Sequence, residues 1–190
     1  MSGKRVFGVG INDLNYPIKD CVFYRTWKNM LKRCYCESYK RNKPSYQNCS
    51  VSDEWLRASV FKEWMEQQDY KGKCLDKDLL GDSKVYSKET CMFVSEQVNK
   101  FLVAQESKGE LPLGVSVDKG GKFRVQCKDL SGKTKYLGLF DCPDKGHIKY
   151  IEFKRELIPQ LVNPDEEVNV FQALLDYFPN PAQGADSSCF

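Results

Sequence analysis

The chain has 190 residues and a formal net charge of +3, and 41% of its residues are hydrophobic while 29% are charged. This balance allows one sizeable domain or two small ones with buried cores, and it excludes a disordered chain. No apolar run approaches the roughly 18 residues that a membrane span needs, and the N-terminus lacks the apolar core of a signal peptide. The sequence therefore predicts a cytoplasmic protein with no membrane partner.

The positive charge is unevenly distributed. No Lys or Arg follows Leu161, whereas five acids do, namely Asp165, Glu166, Glu167, Asp176 and Asp186. Residues 1–160 therefore carry a net charge of +8. A basic body with an acidic tail indicates a polyanionic partner for the body.

The cysteines are expected to be thiols, because the chain carries nine of them without an export signal. Cys34, Cys36 and Cys49 are close enough in sequence to suggest a zinc site. Against this, no CxxC pair occurs and the one histidine, His147, lies far along the chain. We expect His147 to be a surface or packing residue.

The N-terminal half begins with a predicted helix over residues 22–35. Its apolar side chains recur at helical spacing, at Phe23, Trp27, Met30, Leu31 and Cys34. The basic residues between them form either a solvated face or a face that follows a phosphate backbone. Residues 38–51 are expected to form a polar loop with a basic cluster at Lys40, Arg41 and Lys43, and a second helix over 53–68 follows, capped by Ser52 or Asp53.

Residues 73–102 contain the pattern that suggests catalysis. They predict a strand over 73–80, a turn over 81–83, a strand over 91–94, and a helix over 95–102 capped by Ser95. In this arrangement Asp76 leaves the first strand and Asn99 lies on the helix, so that the two can approach each other. Their oxygen atoms are ligands that a hard divalent cation prefers.

This segment resembles the ββα-metal active site of HNH nucleases, especially of phage-borne homing-endonuclease-like proteins. The landmarks TWKNMLKRCY, YQNCSVSDEW, LDKDLL, YSKETCMFV and VNKFL fit that group in order across residues 22–102. The resemblance implies Mg²⁺ or another divalent cation as cofactor, with Asp76 as first ligand and Asn99 as last. It also implies that Lys77 stands where the general-base histidine belongs, and that Ser87 or a neighbour replaces the orienting asparagine.

The replacement at Lys77 leaves two hypotheses open. An ordinary lysine is protonated near neutral pH and cannot accept a proton from water. Lys77 serves an endonuclease only if its pKa is lowered, or if it stabilises the transition state through its charge. Without either, the domain holds DNA and does not cleave it.

The C-terminal part follows a predicted linker at 103–112. Residues 113–140 predict three short strands separated by turns at 119–121 and 131–132, and a helix begins after Asp141 or Cys142. Alternation turns one side of the strands to that helix and the other outward. The outward side carries Arg124, Gln126 and Lys128, with Thr134 and Tyr136 on the next strand, which is chemistry suited to base edges and phosphates.

The run GVSVDKGGKFRVQCKD, followed by GKTKYLGLFD and the helix, is similar to DNA-binding domains of the APETALA/ethylene-response type. The resemblance covers about residues 112–157 and implies that the sheet reads the major groove of double-stranded DNA. The positions that match the DNA-contacting face are Ser116, Arg124, Gln126, Lys128, Thr134 and Tyr136. Several arginines and tryptophans of the plant pattern are replaced here, so the target sequence does not carry over.

The tail predicts one more helix, capped by Asn163 with Pro164 at its first position. Its apolar side chains at Val168, Phe171, Leu174, Leu175 and Phe178 form a stripe. This stripe packs on its own chain or pairs with a second copy in a homodimer.

Together these features predict an α+β chain in four parts. The parts are an HNH-like DNA-contacting domain with added helices (1–102), a linker (103–112), a three-stranded antiparallel sheet packed on one helix (113–160), and an acidic tail with an amphipathic helix (161–190). The function that follows is site-specific DNA binding, as a repressor or site-occupying regulator of homing-endonuclease descent, in the host cytoplasm if phage-encoded. The alternative is an active metal-dependent endonuclease that uses Asp76, Lys77 and Asn99.

Overall fold

The protein divides into two compact units, residues 1–96 and 97–190. The structure is a computed structural model that describes residues 5–80, 84–102 and 110–181, and these residues form a mixed α+β protein, as predicted. Most of the linker predicted at 103–112 lies outside the described residues. None of the helices in the described ranges is both long enough and apolar enough to cross a membrane.

The first unit combines three helices with two small sheets. Its elements are α1 (Val22–Tyr35), α2 (Glu37–Asn42), β1 (Ser50–Val51), α3 (Ala58–Glu66), β2 (Cys74–Asp76), β3 (Val85–Tyr86) and β4 (Met92–Val94), with 3-10 turns at Pro44–Tyr46 and Asp53–Leu56. Strand β1 pairs with β3 in parallel, and β2 pairs with β4 in antiparallel register, with Leu75 opposite Phe93. Both members of the β2–β4 pair are shorter than the strands predicted at 73–80 and 91–94.

Helix α1 forms one wall of the core of this unit, as its periodicity predicts. Trp27, Met30, Leu31 and Cys34 are buried, and the Trp27 indole N–H donates to the Trp55 carbonyl oxygen at 2.7 Å. Arg25, Lys28 and Lys32 are exposed. The helix therefore has the apolar stripe and the exposed basic face that its sequence indicates.

Two predictions for the first unit are wrong. Residues 38–42 belong to helix α2 and not to a polar loop, and the single helix predicted over 53–68 is a 3-10 turn followed by α3. Neither Ser52 nor Asp53 caps α3, because that helix begins only after Arg57. One N–H group of its first turn, that of Ser59, donates to the carboxylate of a distant residue, Asp13, at 2.9 Å.

The second unit contains most of helix α4 (Glu96–Leu102) and all later elements. These are β5 (Val115–Val117), β6 (Phe123–Lys128), β7 (Thr134–Phe140), α5 (Pro143–Leu161) and α6 (Val168–Tyr177). The three strands form one antiparallel sheet in the order β5-β6-β7, and α5 packs against it. The predicted sheet and covering helix are therefore confirmed, and α5 begins as predicted, with Cys142 at the N-cap and Pro143 first in the helix.

Helix α5 packs closely on the sheet through a residue without a side chain. A Cβ atom built at Gly146 would lie 2.8 Å from Cγ2 of Val125 in β6. The buried line of the helix continues through Tyr150, Lys154, Leu157 and Ile158. The sequence predicts a helix face with Ile148, Ile151 and either Leu157 or Ile158. Leu157 and Ile158 are buried and Ile151 packs against the sheet core, whereas Ile148 is half-buried.

The tail helix is shorter than predicted. Asn163 and Pro164 lie in a turn ahead of the helix, where the Asn163 carbonyl oxygen accepts from the amides of Glu166 and Glu167, and α6 begins only at Val168. Helix α6 contacts α5 and buries Val170, Ala173, Leu174 and Phe178, whereas Val168 is exposed. Part of the predicted stripe thus packs within its own unit, and pairing with a second copy stays a prediction.

Candidate nucleic-acid interface

The outward face of the sheet brings together all six residues that the sequence assigns to DNA contact. In β6, Val125 and Cys127 are buried whereas Arg124, Gln126 and Lys128 are exposed, as alternation predicts. The strand register sets Ser116 opposite Arg124, Tyr136 opposite Gln126, and Thr134 opposite Lys128. Directly opposed residues of an antiparallel pair have Cα atoms about 4.5–5.5 Å apart, so the six side chains form one continuous patch.

The dimensions of this patch suit a DNA groove. Three strands spaced about 4.8 Å apart span about 10 Å, which fits a major groove about 12 Å wide. Along β6, Arg124 and Lys128 are four residues apart, or about 13 Å. Base pairs rise about 3.4 Å each, so side chains at these two positions reach across roughly four base pairs.

A β-bulge adds a residue that the sequence analysis missed. Val125 pairs with Gly138 whereas Gln126 pairs with Tyr136, so Leu137 is the extra residue on β7. Beyond the bulge the alternation inverts, and Leu139 points outward with 42% of its surface exposed while Phe140 joins the core. A glycine inside a strand is the signal that could have indicated this bulge.

The acids beside the sheet are held in its two hairpin turns. DKGGK (118–122) and DLSGK (129–133) fold alike, because Asp118 accepts from the backbone N–H groups of Gly120 and Lys122, and Asp129 from those of Ser131 and Lys133. The hydrogen bond from the Ser131 hydroxyl lowers the pKa of Asp129. Neither carboxylate belongs to a strand, so the outward strand positions of the patch carry no acid.

The two cations of the patch are available to a ligand. Neither Arg124 nor Lys128 has an ion-pair partner among the residues that the structure describes. Two other lysines of the sheet region are paired: the Lys122 ammonium lies 3.0 Å from the Asp141 carboxylate, and that of Lys135 lies 4.0 Å from Asp129. Over residues 113–160 the chain has ten Lys and Arg against six Asp and Glu, so the region as a whole is basic.

Asp76, the first of the residues predicted to form a nuclease site, is held by backbone hydrogen bonds. Asp76 is buried, and one carboxylate oxygen accepts from the backbone N–H groups of Asp78 and Leu79, both at 2.9 Å. Burial raises the pKa of Asp76, against the effect of the Leu79 hydrogen bond. Its carboxylate therefore ends strand β2 by capping the turn that follows. Asn99 lies on α4 in the second unit, so the two predicted ligands belong to different units.

Lys77 is a poor substitute for a general base. Its ammonium group is buried and forms an ion pair with the Asp78 carboxylate. Burial acts to lower the pKa of Lys77, but the hydrogen bond and charge of Asp78 outweigh it and raise the pKa. The side chain is thus protonated near neutral pH. Ser87, expected near the site, donates to Glu89 at 2.7 Å.

The predicted divalent cation stays a prediction, and the surroundings of Asp76 bear on it as follows. Asp76 already uses one oxygen for two backbone groups, and its neighbour Lys77 contributes a positive charge. Within the described ranges, no three His, Cys, Asp or Glu side chains come together in an arrangement that could hold a metal. Cys34, Cys36 and Cys49 belong to no such group either. The Cys49 thiol donates to the Ser45 carbonyl oxygen, and the Cys36 sulfur lies 3.2 Å from the Ser38 hydroxyl oxygen.

The remaining predicted residues have simpler environments. Arg41 and Lys43 are exposed, whereas the Lys40 side chain is largely buried and lies 3.6 Å from the Glu37 carboxylate. His147 is a packing residue, because its Nδ1 atom lies 3.0 Å from the Leu113 carbonyl oxygen and its ring stacks on Tyr150.

The chain was compared with family models, curated proteins and solved structures. No protein-family model, no curated protein and no solved structure matches the chain.

Proposed function

We propose that the chain is a site-specific double-stranded DNA-binding protein that reads its target with the outward face of the β5-β6-β7 sheet. The observation that carries this proposal is the register of the patch. Six polar side chains stand in opposed pairs on one exposed face without an acid, and its two cations have no ion-pair partner among the described residues.

The side chains divide by the contacts that their chemistry allows. Arg124 has the planar fork that pairs with O6 and N7 of guanine, and Gln126 has the amide that pairs with N6 and N7 of adenine. Lys128, Ser116 and Thr134 are suited to phosphate oxygens, which fix the register of a protein on the duplex. The patch therefore combines groups that read bases with groups that position the protein.

Selection of bound duplexes from a random pool, with the full chain, tests this proposal. We expect one recovered motif, and we expect Arg124→Ala to weaken binding to it by about 1–3 kcal/mol and to relax the preference at one base pair. Lys145→Ala is the matched control, because it removes an exposed positive charge from helix α5, on the opposite side of the sheet. Equal effects of the two substitutions, or no recovered motif, would contradict the proposal.

We also propose that the chain acts as a regulator, which binds DNA without cleaving it efficiently. Its support is the geometry of Asp76, whose carboxylate caps a turn, and of Lys77, which is paired with Asp78. Incubation of the selected duplex with Mg²⁺ or Mn²⁺ tests it, and we expect intact DNA. Cleavage products that disappear in Asp76→Ala would show instead that the chain is an endonuclease.

A further inference from the structure

A second group of cations lies in the first unit, away from the sheet. Arg33 of α1 and Lys77, which follows β2, both point at the same two phenol rings. The Arg33 guanidinium carbon is 5.9 Å from the centre of the Tyr46 ring, and a guanidinium nitrogen lies 3.4 Å from the Tyr86 hydroxyl oxygen. Lys77 Nζ is 6.0 Å and 5.8 Å from the centres of the same two rings.

The two cations of this group have few hydrogen-bonding and ion-pair partners. Within the described residues, Arg33 has no carboxylate at ion-pair distance, and only one of its five N–H donors is matched, with the Tyr86 hydroxyl. Lys77 has one acidic partner, Asp78, whose side chain is 60% exposed. Among the described residues Asp76 forms no ion pair with either cation, and its carboxylate accepts backbone N–H groups. Asp78 is therefore the one carboxylate among the described residues at ion-pair distance from this group, and it reaches into solvent.

The Arg33 donors without a protein partner are open to solvent, because no fully buried side-chain nitrogen or oxygen of the described residues lacks a hydrogen-bond partner. A half-buried guanidinium has lost part of its hydration, and the loss is offset only where hydrogen-bond acceptors replace the water. Phenol rings attract cations but leave the N–H donors unmatched. An oxyanion with several acceptor oxygens satisfies a planar guanidinium and an ammonium together, and phosphate is the commonest such group.

We propose that Arg33 and Lys77, framed by Tyr46 and Tyr86, form an oxyanion site that binds a backbone phosphate of DNA. Asp78 occupies the place of the anion in the free protein. The phosphate displaces its carboxylate from Lys77, and the displaced side chain moves into solvent, to which it is already exposed. The identity of the anion as DNA rests on the proposed function, whereas the oxyanion site itself does not.

Inorganic phosphate tests the site independently of DNA. All three tryptophans, Trp27, Trp55 and Trp64, lie in the first unit, so thermal unfolding of the full chain followed by tryptophan fluorescence reports on the unit that contains the site. At constant ionic strength, we expect phosphate to raise the unfolding temperature to a plateau, as binding to the native state requires. Arg33→Gln and Lys77→Met should each weaken phosphate binding at least tenfold.

Two further variants keep this test decisive if those substitutions disturb folding. Asp78→Asn removes the competing charge and should bind phosphate several-fold more tightly. Lys62→Met is the matched control and should behave as the unaltered chain does, because Lys62 also has a carboxylate partner, Glu66, and an aromatic neighbour in the same unit. A shift that rises without a plateau, as general salt exclusion produces, or an Asp78→Asn variant with unchanged affinity, would overturn the site.

A DNA titration decides between a free phosphate and a backbone phosphate. The slope of log affinity against log salt concentration should fall by about one in Lys77→Met, because one fewer counterion is released. An unchanged slope together with saturable phosphate binding overturns the DNA assignment and leaves a site for free phosphate. If the unaltered chain binds no DNA, the proposed function fails, while the phosphate measurement still decides the site.

Discussion

Arg124 of β6 lies directly opposite Leu139 of β7 on the outward face of the sheet. An exposed leucine beside an arginine offers an apolar surface next to a bidentate hydrogen-bonding group, and thymine is the base whose major-groove edge carries a methyl group. We therefore predict that the base pair next to the one read by Arg124 contains thymine. Leu139→Ala should lower affinity several-fold and weaken that preference, which selection from a random pool measures.

The matched control is Leu130→Ala. Leu130 has the same exposed fraction, 42%, but lies in the hairpin turn between β6 and β7 and not in a strand. It should leave the selected motif unchanged. If both variants select the same motif as the unaltered chain, Leu139 does not contact a base.

Gly146 determines how closely helix α5 approaches the sheet, and Gly146→Ala should destabilise the second unit. Alanine is favoured over glycine in a helix by about 1 kcal/mol. The new methyl would lie 2.8 Å from Val125, and overpacking of this kind costs about 1–3 kcal/mol. We expect the steric cost to exceed the helical gain, so urea unfolding followed by circular dichroism should show a lower free energy of unfolding.

Gly120→Ala is the comparison for this substitution. A Cβ atom there would meet its nearest neighbour, an Asp118 carboxylate oxygen, at 3.5 Å, which is ordinary contact. Its effect should be small. A stabilising effect of Gly146→Ala would mean that the helix moves away from the sheet at little cost.

The second unit was easier to predict from sequence than the first. Alternating residues and two turns of the form Asp-x-x-Gly-Lys predict the sheet, because each turn is built from local hydrogen bonds. The outward residues of β6 follow from alternation alone. The position of Leu139 does not, since it depends on a bulge that shifts the pairing by one residue.

The first unit depends on contacts that no local pattern reveals. The cap of α3 comes from Asp13, more than forty residues away, so a search of the residues preceding the helix finds the wrong cap. Likewise Arg33 belongs by spacing to the exposed basic face of α1, yet it turns inward toward Tyr86. The ion pair between Lys77 and Asp78 depends on side-chain geometry. The sequence predicts only that the surroundings of Lys77 determine its pKa.

Asp13 caps α3 from a distance, and Asp13→Ala should lower the free energy of unfolding of the first unit by about 1 kcal/mol. Its carboxylate accepts from the Ser59 N–H at 2.9 Å and the Ser59 hydroxyl at 2.8 Å. Burial acts to raise the pKa of Asp13, but these hydrogen bonds and that of Arg57 lower it below the usual 3.8. The stabilisation is therefore complete above pH 3.8 and is lost as the pH falls through the lower folded value.

Urea unfolding followed by tryptophan fluorescence measures this effect. Asp69→Ala is the control, since Asp69 is 80% exposed and forms only a surface ion pair with Lys73. Asp13→Asn keeps an acceptor oxygen and should lose only the part that depends on pH. Equal stability of Asp13→Ala and Asp69→Ala would show that the cap contributes nothing.

Lys154 is buried in α5 among aromatic rings, and its burial should appear as a pH dependence of stability. Its ammonium donates to the Phe101 carbonyl oxygen at 3.0 Å and lies 3.8 Å from the centre of the Phe101 ring. Burial lowers the pKa of Lys154 below the ordinary 10.5, and the charge of nearby Cys127 only partly opposes this. Between the lowered value and 10.5 the unfolded chain binds a proton that the folded chain does not, so the free energy of unfolding rises with pH.

Lys154→Met removes this titration while filling most of the same volume. As the pH approaches 10.5 from below, the unaltered chain should therefore become more stable relative to the variant. The difference in their unfolding free energies should change by at most about 1.4 kcal/mol per pH unit. Lys149→Met is the control on the same helix, because the hydrogen bond and charge of Glu152 raise the pKa of Lys149, so its difference stays flat below 10.5. Urea unfolding followed by circular dichroism measures both differences. If the difference for Lys154→Met does not change with pH either, Lys154 keeps its proton in the folded protein, and the Phe101 carbonyl and ring fully replace its hydration.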